Sequence, residues 1–125
     1  MSDTYEKGLA VRKQVLGEEY VNQALANADE FSQPLQDYVT EHAWGAVWVR
    51  DGLSKKQRSM VTLSILVAIN RPHELKTHIK GALNNGLTRE EIREIFLHAA
   101  AYCGAPAAVD AFRTAKELFK ELDGA

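Results

Sequence analysis

The chain has 125 residues, 46% hydrophobic and 26% charged, which suffices for one packed domain and leaves no room for a second. Fifteen Lys and Arg nearly balance seventeen Asp and Glu, for a formal charge of −2, so no global field draws the chain to nucleic acid or to an anionic membrane. A single cysteine, Cys103, excludes an internal disulfide, a dithiol redox motif and a multi-thiolate zinc site, and fits the cytoplasm.

The opening residues, MSDTYEKG, lack the basic start and apolar run of a signal peptide, and the longest apolar stretch falls far short of the ~20 residues that span a bilayer. Three prolines and eight glycines sit mostly between apolar segments of helical period, which predicts an all-α chain of about six to seven helices in one domain over residues 1–125. A first helix over Asp3 to Leu16 stops at Gly17, and Tyr20 to Ala28 follows. Ser32 is placed to cap a third helix, with Pro34 in its first turn, running to Trp44 or Trp48 before the turn at Arg50-Asp51-Gly52.

Ser54 and Gln57 have capping-box spacing ahead of the apolar run Met60 to Ile69, which predicts a central helix. Asn70-Arg71-Pro72 breaks it, and a helix from Pro72 carries Leu75, Ile79, Ala82 and Leu83 to a stop at Asn85-Gly86. Thr88 and Glu91 form a second capping box, opening a helix with Ile92, Ile95, Phe96 and Ala99 inward until Gly104. Pro106 begins the last helix, with Val109, Phe112, Leu118, Phe119 and Leu122 as its apolar face. Trp44, Trp48, Ile65, Leu66, Ile69 and Phe112 add up to more apolar surface than one small monomer hides, so an oligomer is expected.

Function must then rest on a few polar residues set among apolar ones. Positions 75, 78, 79 and 82 share a helix face, so His78 points toward apolar surroundings, with Glu74 one turn earlier. A carboxylate there holds one imidazole nitrogen and leaves the other for proton transfer; the competing reading is a structural histidine satisfied by its neighbour. His98 has Tyr102 at i+4, either as two polar tips in one site or as a packed pair. Arg50 and Arg58 flank the turn near Trp44 and Trp48, where guanidinium groups beside aromatic walls suit capture of a small carboxylate, or serve as surface ion pairs. The four histidines lack the dense spacing of a zinc site, so no metal is predicted. Cys103, without a basic neighbour in sequence, reads as a buried inert thiol.

The segments VWVRDGL (47–53), RSMVTL (58–63), ELKTH (74–78), NNGLTREEI (84–92) and HAAAYCGAPAA (98–108) together resemble the gamma-carboxymuconolactone decarboxylase family. The resemblance implies an alkylhydroperoxidase-D-like all-α fold, assembly as a ring-shaped homo-hexamer, and cofactor-free decarboxylation of a small carboxylated lactone in the protocatechuate branch of aromatic degradation. Peroxidase relatives carry a Cys-x-x-Cys pair just before the histidine. Here those positions read Arg71-Pro72-His73-Glu74, followed by Thr77-His78. With both thiols absent the dithiol cycle cannot run.

The resemblance thus implies His78, Glu74 and His98 as catalytic residues and Trp44, Trp48, Arg50, Arg58 and Tyr102 as substrate-binding ones. No cofactor is needed, because the substrate's conjugated lactone carbonyl takes up the electrons that carbon dioxide leaves behind. The protein binds the remaining carboxylate, stabilises the dienolate and supplies a proton. The alternative is a non-catalytic helical oligomer or small-ligand binding protein of the same fold.

Overall fold

The computed structural model describes residues 2–124, and among these every regular element is helical. The elements are α1 (Asp3–Leu16), α2 (Glu18–Ala26), α3 (Gln33–Tyr38), a π-helix (Val39–Trp48), α4 (Lys55–Ala68), α5 (Pro72–Asn84), α6 (Arg89–Cys103) and α7 (Ala105–Leu122). The all-α expectation therefore holds. Cα packing divides the chain into two compact units, Met1–Lys55 and Lys56–Ala125.

In the first unit, Ser2 Oγ caps α1 by accepting the Tyr5 amide at 3.1 Å, and Gly17, with φ of 98°, ends it. The third expected helix divides into α3 and the π-helix. Its buried residues are Thr40, Trp44, Gly45 and Trp48; three of them, Thr40, Trp44 and Trp48, stand four positions apart, a spacing longer than the 3.6-residue α period that the wider i→i+5 turns accommodate. Ser32 makes no side-chain cap. Its hydroxyl instead accepts the Asp29 amide at 3.0 Å and donates to Asp29 Oδ1 at 3.1 Å, because a local turn competes for the same oxygen. Trp44 and Trp48 stack at 4.8 Å and pack with Val15, Leu16 and Val21 as the core of this unit.

The second unit buries one stripe from each of α4 to α7 in a common core, including Leu63 and Val67, Leu75 and Ile79, Ile92 and Phe96, and Ala111 and Leu118. The expectation of a central α4 holds for one face only: Ser59, Leu63 and Val67 are buried, while Met60, Val61, Ile65 and Ile69 are exposed. One chain supplies partners for a single face of this apolar helix. Asn70, at φ 56°, turns the chain sharply into α5. The capping box of α6 forms as expected, with Thr88 Oγ1 accepting the Glu91 amide at 3.0 Å and Glu91 Oε1 accepting the Thr88 amide at 2.9 Å.

On α7 the expected face holds in part, with Leu118 in the core and Phe112 and Phe119 packed against it. Ala108, Ala111, Thr114, Ala115 and Leu118 are buried, whereas Val109 and Leu122 are exposed. Small side chains let the α7 backbone approach α5 and α6, so the alanine stripe wins over the bulkier one a residue away.

Candidate active site

α5 presents the most distinctive ionisable group of the second unit. Leu75, Ile79 and Ala82 bury the same side of the helix, and this anchoring draws His78 into a half-buried position. Burial disfavours the imidazolium and pushes the His78 pKa down to about 4, against the opposing pull of Glu74. Near neutral pH the free chain therefore carries a neutral imidazole, one nitrogen a donor and the other an acceptor. Glu74 lies exposed in the first turn of α5, close enough to act on the ring electrostatically.

The remaining candidates occupy different settings. On α6 the His98 and Tyr102 rings stack at 5.4 Å, and Tyr102 is 85% exposed. His98 lines a groove of about 560 Å³ with Met60, Val61 and Ile95, rimmed by Glu90 and Glu94. Arg58 is half-buried at the start of α4. In the first unit Trp44 and Trp48 are core residues, 5% and 8% exposed, and Arg50 is exposed at the turn that follows the π-helix. His42 is exposed, with its ring 4.8 Å from that of Tyr38, and His73 is exposed on α5.

The expectation of a buried Cys103 is overturned. The residue is exposed, and its Sγ–H donates to the Ala99 carbonyl at 2.9 Å. It stands one position before Gly104 at the end of α6.

One interaction and one buried charge are not marked by the sequence motifs. Asn85 Nδ2 donates to Ser59 Oγ at 2.9 Å, tying the C-terminal cap of α5 to the first turns of α4 and so steadying the helix that carries His78. No local pattern announces a bond between residues 26 positions apart. Arg12 was legible in principle. Tyr5, Gly8, Arg12, Val15 and Leu16 are the buried positions of α1, and their helical spacing places a guanidinium on an apolar stripe.

Residues 33–117, from the start of α3 into α7, match the model of the carboxymuconolactone decarboxylase family. The chain belongs to the carboxymuconolactone decarboxylase family. It is 44% identical over 118 residues to a 4-carboxymuconolactone decarboxylase of Acinetobacter baylyi, covering 94% of this chain and 88% of that one. It is 47% identical over 118 residues to a nitrosuccinic acid decarboxylase of Metarhizium robertsii, covering 94% and 82%. Within this carboxymuconolactone decarboxylase family chain, the α5 segment carries His78 and Glu74 with no cysteine nearby, since the sole cysteine is Cys103. A dithiol peroxidase cycle therefore has no reactants here.

Proposed function

We propose that this chain is a cofactor-independent carboxy-lyase that converts 4-carboxymuconolactone to the beta-ketoadipate enol-lactone. The carrying observation is the half-buried, neutral imidazole of His78 one turn after Glu74, in a chain 44% identical to an enzyme of that name. Loss of carbon dioxide breaks the bond between the departing carboxylate and the ring carbon. The electron pair shifts through the ring double bond onto the lactone carbonyl oxygen, and a proton then adds to the carbon alpha to that carbonyl.

His78 is the proposed acid. Its low pKa fits the role once substrate is present, because an anionic substrate beside a desolvated imidazole favours the protonated ring and raises its pKa. Binding thus loads the proton that the dienolate later takes. Glu74 orients the ring and favours the same charged state. Arg58 is the proposed clamp for the retained carboxylate in the second unit, with Arg50 as the other candidate; His98 and Tyr102 are the proposed donors to the dienolate oxygen.

A homo-hexamer supports this chemistry. The exposed Met60, Val61, Ile65 and Ile69 face of α4 and the open His98–Tyr102 pair both call for cover that a second copy supplies, and dry surroundings strengthen a donor's hold on a developing anion. The family match crosses both compact units, which supports treating the chain as one functional domain. The exposed thiol of Cys103 suits a reducing compartment, and the cytoplasm is the proposed location.

The nitrosuccinic acid decarboxylase relative favours a second reading. Nitrosuccinate and carboxymuconolactone share a two-carbon fragment with a carboxylate at each end, and in both the departing carboxylate sits on a carbon joined to an electron sink. That sink is a nitro group in one and a vinylogous lactone in the other. Incubating the protein with each compound, with carbon dioxide release and ultraviolet absorbance as readouts, decides the matter. Turnover of carboxymuconolactone supports the first reading; turnover of nitrosuccinate alone replaces it with the second.

A further inference from the structure

Arg12 is the only buried charged side chain among the described residues, at 6% exposure, and nothing in the decarboxylation uses it. Its Nη1 donates to Gln36 Oε1 at 3.0 Å and to Thr40 Oγ1 at 3.1 Å. Both acceptors are neutral, so neither balances the charge. Nε is buried and meets no acceptor. Tyr5 and Tyr20 are the ionisable groups that act on the guanidinium, and no carboxylate is among them. Asp37 acts on Tyr5, and its Oδ1 accepts from the Gln33 side-chain Nε2 at 2.9 Å.

A buried cation held only by neutral groups is costly, and the cost falls when an anion meets the N–H groups left over. With Nη1 committed, the Nε and Nη2 edge remains. Two parallel N–H groups on that edge match the two oxygens of a carboxylate. Phenol hydroxyls of Tyr5 and Tyr20 add neutral donors that recognise an anion without cancelling the guanidinium charge. Tyr5 is buried and Tyr20 is exposed, which puts the open side of the cluster at Tyr20.

We propose that Arg12, Tyr5 and Tyr20 form a binding site for a small carboxylate within the first unit, distinct from the His78 chemistry. The carboxylate sits on the Nε and Nη2 edge, and the rest of the ligand extends past Tyr20. Thr40 and Gln36 hold the guanidinium in place. Both lie on the layer formed by α3 and the start of the π-helix, so the widened helix helps to aim the group.

Succinate is the probe, titrated calorimetrically into the full-length protein at constant ionic strength, with sodium chloride as the comparison. Saturable binding is expected in the wild type and in His78→Gln. Arg12→Met should weaken it about 10- to 100-fold, as loss of a charged pair of hydrogen bonds implies. Without succinate, Arg12→Met should unfold no earlier than the wild type, because it removes an unbalanced charge at similar volume. Tyr20→Phe alters an exposed position and leaves folding intact, so it decides the case should Arg12→Met not fold; about three- to tenfold weaker binding is expected. Absence of saturable binding overturns the proposal, as does unchanged affinity in both variants. Dissociation of a wild-type assembly by Arg12→Met, with no succinate bound, also overturns it and assigns the carboxylate to a second copy of the chain.

Discussion

Gly8 and Gly45 cross backbone to backbone where α1 meets the π-helix. A methyl group on Gly8 would lie 2.6 Å from the Gly45 amide nitrogen and overlap the Thr40 carbonyl, and one on Gly45 would overlap the Thr4 carbonyl. These obstacles are backbone atoms, which cannot swing aside as a flexible side chain does. Gly8→Ala gains about 1 kcal/mol of helix propensity and loses about 1–3 kcal/mol to overpacking, with the rigid obstacle favouring the upper end. The expected result is a lower urea midpoint with less tryptophan burial, read by fluorescence of Trp44 and Trp48. A midpoint at or above that of the wild type would show that the crossing has slack.

Acid should destabilise the protein through His78 in a definite window. The ring has a pKa of about 4 when folded and about 6.5 when unfolded. Between those values the unfolded chain binds more protons, so stability is complete above about pH 6.5, falls as pH drops toward 4 and stops falling on this account below it. The loss is on the order of 3 kcal/mol. In His78→Gln the decline between pH 6.5 and 5, measured by denaturant unfolding, should flatten; an unchanged profile would mean that other groups carry it.

Steady-state kinetics separate the acid from the clamp. His78→Gln should lower kcat by ~10²–10⁴-fold with a smaller effect on substrate binding, whereas Arg58→Gln should act substantially on KM. The His78 proton also has a binding signature. Calorimetry of a substrate analogue in buffers of different ionisation enthalpy should show proton uptake near neutral pH in the wild type and none in His78→Gln. Normal kcat in folded, assembled His78→Gln would transfer the acid role to His98 or Tyr102.

Cys103 offers a third readout because it is exposed. A thiol reagent should label the native protein at one site per chain without abolishing turnover, and Cys103→Ser should keep both activity and stability close to those of the wild type. Loss of turnover in folded Cys103→Ser would reveal a role for the thiol near the α6–α7 corner.

The uncovered face of α4 bears on assembly. Light scattering at micromolar concentration should give a mass well above 13.9 kDa, and Ile65→Lys, which places a charge in the middle of that exposed apolar face, should reduce it. A monodisperse wild-type monomer would remove the oligomer and with it the proposed cover over His98 and Tyr102.

Much of the architecture is local and was therefore readable. Gly17, Asn85-Gly86 and Gly104 end helices because their backbone needs are met by those residues in place, and Thr88 with Glu91 opens α6 by bonds that span three positions. The alignment of His78 with Leu75, Ile79 and Ala82 follows from the helix period alone. So does the link to Glu74. The family resemblance rested on those same segments.

Tertiary packing decided what periodicity leaves degenerate. An apolar helix does not announce which of its faces finds a partner within one chain, so the exposure of Ile65 on α4, and the burial of Ala111 in preference to Val109 on α7, emerged only from the neighbours each helix meets. The depressed pKa of His78 is likewise a property of desolvation by surrounding atoms, and the lone charge of Arg12 depends on Gln36 and Thr40 arriving from 24 and 28 residues away. Sequence determines which groups are available at each turn of a helix. Only the packed chain determines which of them lose water, and the loss of water sets their chemistry.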